Sequence, residues 1–197
     1  MIKSLTFSEY VSHKVLKIST PIQKSLYVVL ISLLGSILLA IASKINFYLP
    51  FTPIPFTMQT FAVLFLSMLL GRKVMYVLIF YLIEGIVGLP VFAKGGGIGY
   101  FLGPTGGYIL GFLFAGYVCG SLAEKWFDKS FIKTFFVMVL GNLIIYFFGI
   151  LWLLRFVRFD FMKALSIGML PFVVGDVIKI ILASIVLPSG WKILKKV

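Results

Sequence analysis

The chain has 197 residues, of which 61% are hydrophobic and only 12% are charged, and its mean hydropathy is +1.12. A soluble domain contains about 45–50% apolar and about 25% charged residues, and a chain of this size cannot bury such an apolar excess in one core. The composition therefore excludes an ordinary soluble enzyme and a disordered chain, and it indicates an integral membrane protein.

The net charge of +12 comes from 18 Lys and Arg residues against 6 Asp and Glu residues. In a soluble protein this balance would suggest a nucleic-acid partner. Here the positive charges lie mostly between and beside apolar runs, where they act as determinants of membrane topology. We therefore expect the lipid bilayer as a partner and no nucleic acid.

The chain has one cysteine, Cys119, and one histidine, His13. A disulfide within the chain, a Cys-based metal site, a two-His zinc site and a His-based catalytic triad are all excluded by these numbers. We expect no catalytic residues, no metal and no cofactor.

The chain opens with a polar, basic stretch over residues 1–24. No small-residue cleavage site follows a short apolar core, so this stretch is not a secretory signal peptide. We expect a basic cytoplasmic extension that lies on the membrane surface as a weakly amphipathic helix.

Six apolar runs follow, each long enough or nearly long enough to span a bilayer as a helix. They cover residues 25–43, 57–71, 74–92, 105–123, 132–154 and 165–187. The runs are continuous rather than alternating, so strands are not expected. The pattern predicts an all-α membrane protein, with a six-helix transmembrane domain over residues 25–190 and a basic cytoplasmic tail over residues 191–197.

The distribution of Lys and Arg predicts the orientation. With a cytoplasmic N-terminus, twelve of these residues lie inside and five lie outside, with Lys179 left within the last span. Because positive charge favours the cytoplasmic side, both termini are expected there. The Pro-rich first loop and the Gly-rich third loop then lie on the outer face.

Three charged residues lie well inside the runs: Glu84, Asp176 and Lys179. Charge inside a membrane span is costly and points to function by default. Asp176 and Lys179 are three residues apart and share one helix face. They either neutralise each other within the bundle or form a polar ligand site, and a ligand could insert into an existing pair. Glu84 has no basic neighbour within a turn and is either a ligand residue or a neutral glutamic acid.

Other polar residues in the runs have simpler interpretations. Tyr81, Asn142 and Tyr146, with Thr57 and Gln59 at the start of the second run, could each form a hydrogen bond between helices worth about 0.6 kcal/mol. Ser32, Ser36 and Ala40 are spaced by four residues and suit close helix contact, either within the bundle or with another membrane protein.

The third loop, PVFAKGGGIGYFLGPT, has five glycines between Gly95 and Gly103. It matches neither a dinucleotide-binding motif nor a P-loop. Such glycines suit a tight loop that allows the backbone to approach a ligand.

Four stretches together resemble one family. They are PFTPIPFTMQT at 50–60, YLIEGIVGLPVFA at 81–93, GPTGGYILGF at 103–112 and LPFVVGDVIKIILA at 170–183. In this order they resemble the BioY family, the biotin-specific substrate-binding (S) components of energy-coupling factor transporters. The resemblance extends from about residue 30 to residue 190.

The resemblance implies a six-helix bundle with cytoplasmic termini that captures biotin from the outer face of the cell membrane, or of the inner membrane if the cell has two. It implies no enzymatic activity in the chain itself. Uptake would be energised by a transmembrane coupling subunit and two ATPase subunits, which the chain would contact through its small-residue face, here Ser32, Ser36 and Ala40.

The resemblance also implies ligand residues. The Asp and Lys of its GDxxK motif match Asp176 and Lys179, which would accept from the N–H groups and donate to the carbonyl of the ureido ring. The third span contributes a polar residue, for which Glu84 and Tyr81 are candidates. Phe56, Phe92 and Tyr108 would line the apolar part of the ligand, and Lys94 or the glycine loop would hold its carboxylate.

Three alternatives remain open from the sequence. The first is an S component for another vitamin or small metabolite. The second is a membrane-embedded enzyme, for which no GxSxG motif or clustered carboxylates are present. The third is a structural membrane protein without a ligand, in which the intramembrane charges only pair with each other.

Overall fold

A computed structural model describes residues 5–125 and 127–194 of the chain. Lys3, Lys195 and Lys196, which belong to the predicted basic extension and tail, lie outside the described residues. The α-helices are α1 Phe7–Tyr10, α2 Pro21–Lys44, α3 Gln59–Leu70, α4 Val74–Val87, α5 Ile98–Leu102, α6 Gly106–Ala123, α7 Phe131–Leu153, α8 Phe161–Gly168 and α9 Leu170–Leu194. A short π-helix follows α1, and single 3₁₀ turns follow α3, α6 and α7.

In the described part of the chain, five helical segments are long and apolar enough to cross a membrane. They are Pro21–Lys44, Gln59–Val87, Gly106–Ala123, Phe131–Phe156 and Leu170–Ile193. Large apolar side chains are exposed along α2 and α9, where a soluble protein would carry polar ones. The fold is therefore that of a multi-pass helical membrane protein.

The segment Gln59–Val87 is a hairpin of two helices rather than one long rod. Gly71 has a φ of +63°, a conformation that ends α3. The Gln59 Nε2 atom donates to the Tyr81 hydroxyl over 2.6 Å, although a straight helix would separate these residues by about 33 Å. The second and third apolar runs thus fold back on each other, with α3 and α4 only about 18 and 21 Å long.

The first long helix begins at Pro21, four residues before the predicted boundary at residue 25. Thr20 and Gln23 form a capping box, in which each side chain accepts from the other residue's backbone N–H. Pro21 occupies the first helical position, where its missing N–H is harmless. Lys24 therefore lies in the first turn of α2 and not in a preceding extension.

The last apolar run, predicted over residues 165–187, is divided between two helices. Asp160 caps α8 by accepting from the Lys163 backbone N–H at 2.9 Å, and α8 ends at Gly168. Helix α9 then runs from Leu170 through Pro188 to Leu194. The start of the predicted tail is helical, and its Trp191 is buried.

Contrary to the expectation of no strands, the Pro-rich loop holds a small antiparallel pair, β1 Asn46–Phe47 and β2 Phe56–Thr57. The prolines between the two strands favour extended backbone and supply no N–H donor. They therefore permit the extended conformation but keep the ladder short. The pair places Phe56 and Thr57 directly before α3.

The N-terminal segment packs against the protein itself. The rings of Phe7 and Tyr10 meet the indole of Trp191 edge-to-face, with centroids 5.7 and 5.8 Å away. Glu9 lies 3.7 Å from Lys73 in the α3–α4 turn. The beginning and the end of the described chain therefore lie at one end of the helix bundle.

The opposite end is formed by the other loops. Lys44 donates to the Phe92 carbonyl, Thr52 to the Ile167 carbonyl and Trp152 to the Gly103 carbonyl, over 2.6, 2.7 and 2.9 Å. These bonds tie the Pro-rich loop, the Gly-rich loop and the region around α8 together above the bundle.

Candidate ligand-binding site

A cavity lies beneath the joined loops, between α3, α6, α7 and α9. One side is polar and the other is apolar or aromatic. Its lining comprises Ile54, Pro55, Thr57, Gln59, Thr60, Tyr100, Thr105, Tyr108, Ile109, Phe112, Tyr146, Phe172, Asp176 and Lys179.

The polar side is organised by the buried carboxylate of Asp176. Its Oδ1 atom accepts from Thr60 at 3.0 Å and from Lys179 at 2.9 Å. Its Oδ2 atom accepts from Tyr146 at 2.5 Å and from Asn142 at 3.3 Å. Four donors from three helices therefore hold one charge, which compensates for its removal from water.

The ammonium group of Lys179 is similarly surrounded. Besides Asp176, it donates to the Thr57 carbonyl at 2.7 Å and to the Thr60 hydroxyl at 3.2 Å. It also lies 4.1 Å from the centroid of the Phe56 ring, a cation–π distance. Lys179 and Asp176 are both almost fully buried and both line the cavity, so the pair is internal and also accessible to a ligand in the cavity.

Local sequence explains how this network forms. The spacing i, i+3 on α9 directs Asp176 and Lys179 to one face, and the spacing i, i+4 on α7 does the same for Asn142 and Tyr146. The sequence-based interpretation of Asn142 and Tyr146 as helix-linking residues did not identify their common partner, Asp176. The position of Asn142 and Tyr146 on one face of an apolar run was the only sequence feature that indicated a shared partner. Thr60 gave no signal beyond its place in a motif.

Among the aromatic residues predicted for the site, Tyr108 lines the cavity directly, and its hydroxyl donates to the Gly168 carbonyl at 2.7 Å. Phe56 stands beside the cavity, because its ring stacks on the lining residue Phe172 with centroids 6.0 Å apart and also contacts Lys179. Phe56 thus supports the polar pair from one side.

Tyr81 and Phe92 form a layer behind the cavity wall. The Tyr81 hydroxyl accepts from the lining residue Gln59 and donates to the Val91 carbonyl at 2.8 Å. The fully buried Phe92 ring stacks on the lining residue Tyr100, with centroids 5.2 Å apart. Both residues position groups that line the cavity.

Glu84 and Lys94 lie away from this cavity. The Glu84 carboxylate accepts a hydrogen bond from Ser36 on α2, so α4 directs it towards that helix instead of towards α9. Lys94 lies over the Tyr48 ring at 4.2 Å from its centroid. Each has a partner outside the cavity.

The small-residue stripe of α2 is engaged within the chain. Ser32 and Ser36 are buried, and Ser36 contacts Glu84, whereas Ala40 is half-buried. Packing of α2 against α4 accounts for the Ser36 contact, and docking of another membrane protein through Ser32, Ser36 and Ala40 stays a prediction.

The glycine loop closes the cavity from above. The Gly97 N–H donates to the Gly85 carbonyl at 2.6 Å, which anchors the loop on α4 at the start of α5. Tyr100 on α5 and Thr105 after it then reach the cavity. The loop contributes side chains to the wall as well as a compact backbone.

The arrangement provides acceptors and donors at one end and a hydrophobic wall at the other, which suits a ligand with a polar head and an apolar body. Within the described residues, no group of three His, Cys, Asp or Glu side chains could hold a metal ion.

Residues 14–196 of the chain match the model of the BioY family. The chain is 41% identical over 140 residues to the biotin transporter BioY of Thermotoga maritima, covering 70% of this chain and 81% of that protein. It is 40% identical over 136 residues to a probable biotin transporter BioY of Pyrococcus horikoshii, covering 68% of this chain and 78% of that one.

A solved structure is similar over most of the chain. It is the crystal structure of the S-component for biotin from an ECF-type ABC transporter, with a TM-score of 0.77, 27% identity and coverage of 89% of this chain and 95% of that chain. The family match begins at residue 14, so it includes part of the N-terminal stretch that the motifs left out. With its matched span, its relatives and its fold in agreement, the chain belongs to the BioY family.

Proposed function

We propose that the chain is the biotin-binding S component of an energy-coupling factor transporter and that biotin occupies the cavity around Asp176 and Lys179. The observation that carries the proposal is a buried, hydrogen-bonded ion pair that lines a cavity together with apolar and aromatic side chains. Relatives of the chain bear the name of biotin transporters.

The chemistry of biotin fits the two ends of the cavity. Its ureido ring offers two N–H donors and one carbonyl acceptor, which complement the Asp176 carboxylate and the Lys179 ammonium. Its thiophane ring and valeryl chain would contact Tyr108, Phe112 and Phe172. This binding requires no cofactor and no covalent step, and we infer that the chain has no enzymatic activity of its own.

Titration calorimetry of the purified chain with biotin tests the proposal. Saturation near one biotin per chain is expected, and desthiobiotin, riboflavin and thiamine should be tested as competitors. An S component for a different vitamin would bind one of these competitors in preference to biotin.

The Asp176→Ala variant tests the site. We expect biotin affinity to fall about 10- to 100-fold, because the ligand's N–H groups lose a charged acceptor. Asp160→Asn is the matched control, because Asp160 is an exposed carboxylate. The side-chain amide oxygen of the asparagine can still accept from the Lys163 N–H and cap α8. Unchanged affinity in Asp176→Ala would place biotin elsewhere.

We also propose six membrane crossings with both termini in the cytoplasm. The α3–α4 hairpin divides one of the five long segments into two short crossings, and both ends of the described chain meet at Trp191. The end that carries the termini also has more Lys and Arg, as the cytoplasmic side should. Cysteine accessibility at Lys163→Cys and Lys125→Cys tests the orientation, with only the former labelled from outside.

The energising partners complete the proposal. We infer docking on a transmembrane coupling subunit with two ATPase subunits, in the plasma membrane, or in the inner membrane of a cell with two. ATP-dependent biotin uptake by cells that express all four proteins, and its loss without the coupling subunit, is the test.

A further inference from the structure

A basic pocket lies between the N-terminal segment and the start of α2, away from the biotin cavity. Lys24 and Lys73 line it, and His13, Ser12 and Tyr27 supply further polar groups. Its lining comprises Ser12, His13, Ile18, Lys24, Tyr27, Val28 and Lys73.

The charges in this pocket leave a positive excess. Lys73 is 3.7 Å from Glu9, which balances one charge. Lys24 has no ion-pair partner among the described residues. Lys24 also lies in the first turn of α2, where the helix dipole disfavours a cation and favours an anion. The pocket therefore lacks about one negative charge.

An apolar groove continues from the pocket along the outside of the bundle. It lies between α2 and α4 and shares Val28 with the basic pocket. Val29, Tyr76, Ile79 and Ile83 in it are exposed, and almost all of its surface is apolar. From Lys73 in the pocket to Ile83 in the groove, the two together extend about 15 Å along α4, which is half the thickness of the hydrocarbon core.

We propose that the pocket and the groove together bind one anionic phospholipid, with its phosphate between Lys24, Lys73 and His13 and an acyl chain between α2 and α4. A phosphodiester supplies the single missing charge, and charge-assisted hydrogen bonds to it are strong. The combined length of the pocket and the groove matches one leaflet. The phosphate lies at the bundle end that carries both described termini.

A second copy of the chain is a poorer occupant. The chain has six acidic residues, and in the structure each carboxylate already accepts from a partner within the chain. These partners are Lys73 for Glu9, Ser36 for Glu84, Arg72 for Glu124, Trp191 for Asp128, the Lys163 backbone for Asp160 and Lys179 for Asp176. A second copy therefore offers Lys24 little beyond Asp160, an exposed carboxylate at the opposite end of the bundle.

Native mass spectrometry of the full chain tests this site after extraction from vesicles of equal phosphatidylglycerol and phosphatidylcholine. We expect one retained phosphatidylglycerol per chain, in excess over phosphatidylcholine. Lys24→Gln should lower that retention about tenfold, because one charged hydrogen bond is lost. Lys125→Gln, an exposed cation in the α6–α7 connection and outside the pocket, should leave it unchanged.

Ile79→Trp tests the groove, because the larger ring would fill it and exclude the acyl chain. Retention of phosphatidylglycerol should fall in this variant too, while the apparent melting temperature in detergent stays unchanged in all three variants and shows that each is folded. The site does not depend on the biotin proposal, so normal lipid retention with no biotin binding would overturn only the latter.

Several results would overturn the lipid assignment. Equal retention of the two lipids, or unchanged retention in Lys24→Gln, would do so. Glycerol phosphate that binds as well as the lipid, with no effect of Ile79→Trp, would assign the pocket to a free anion. A dimer mass that Ile79→Trp abolishes would assign the groove to a second copy. If the unaltered chain retains no lipid and Ile79→Trp abolishes co-purification with the coupling subunit, the groove is a contact surface for that subunit.

Discussion

Asp176 and Asp128 are both buried carboxylates, but their surroundings differ. Asp176 accepts four hydrogen bonds, one of them from an ammonium group, and lines a cavity. Asp128, in the turn between α6 and α7, accepts from Trp191 at 2.7 Å, and its Oδ1 atom has no partner among the described residues. The comparison teaches that the chain stabilises a charge at the ligand site and only tolerates one at the opposite end.

The buried surroundings of Asp128 raise its pKa. Burial raises the pKa of this carboxyl from 3.8 to about 6, although the Trp191 hydrogen bond and the nearby Lys129 charge act in the opposite direction. Lys129 lies over the Trp191 ring, which also contacts Phe7. Asp128 thus belongs to the cluster around Trp191 that joins the N-terminal segment to the end of α9.

The largest expected effect comes from breaking the Asp176 network on one side. Lys179→Met leaves a buried carboxylate without its cation and should lower the free energy of unfolding by about 3–5 kcal/mol. Adding Asp176→Asn should restore part of that loss, since the uncompensated charge is gone. Apparent melting temperatures of the two variants in detergent measure this. A double variant less stable than Lys179→Met would contradict the compensated-pair interpretation.

The second effect is a pH dependence from Asp128. Because its folded pKa lies above the unfolded value, the folded state binds more protons between about pH 4 and pH 6, and stability falls as pH rises through that window. The full titration corresponds to about 3 kcal/mol. The apparent melting temperature should therefore be higher at pH 5 than at pH 7. Asp128→Asn should flatten this difference, and an unaltered pH profile in that variant would refute the assignment.

A third effect concerns packing around the Asp176 network. A Cβ atom at Gly175 would overlap the Phe56 ring, which lies against Lys179. Gly175→Ala should destabilise the protein by about 2 kcal/mol and weaken biotin binding, because Phe56 must move. Gly99→Ala is the control, since its added Cβ atom would meet nothing within 4 Å. Equal melting temperatures for the two variants would argue against this packing.

The smallest effect is expected at Thr60, which donates to Asp176 and accepts from Lys179. Thr60→Val removes both bonds but leaves the carboxylate with three other donors. We expect a loss of about 1 kcal/mol in the free energy of unfolding. Thr60→Ser keeps the hydroxyl and should retain most of the stability. If Thr60→Val equals Lys179→Met in its effect, the four donors do not share the charge as described.

Part of the site could be predicted from sequence. Charge within an apolar run is rare enough to single out Asp176 and Lys179, and their helical spacing puts them on one face. The same reasoning singled out Glu84, which contacts Ser36 instead. Rarity of charge identifies a residue that needs a partner, but the rotation of α4 relative to α2 and α9 decides which partner it meets.

The sequence alone determined the membrane class, the positions of the apolar segments and the asymmetry of charge, because these depend on composition and order along the chain. Only the tertiary structure decided that Asn142, Tyr146 and Thr60 share Asp176, that Phe92 and Tyr81 stand behind the wall, and that Lys24 and Lys73 line one pocket. Those facts depend on how helices distant in sequence rotate and pack, and in an almost uniformly apolar chain the pattern along each helix gives little information about rotation.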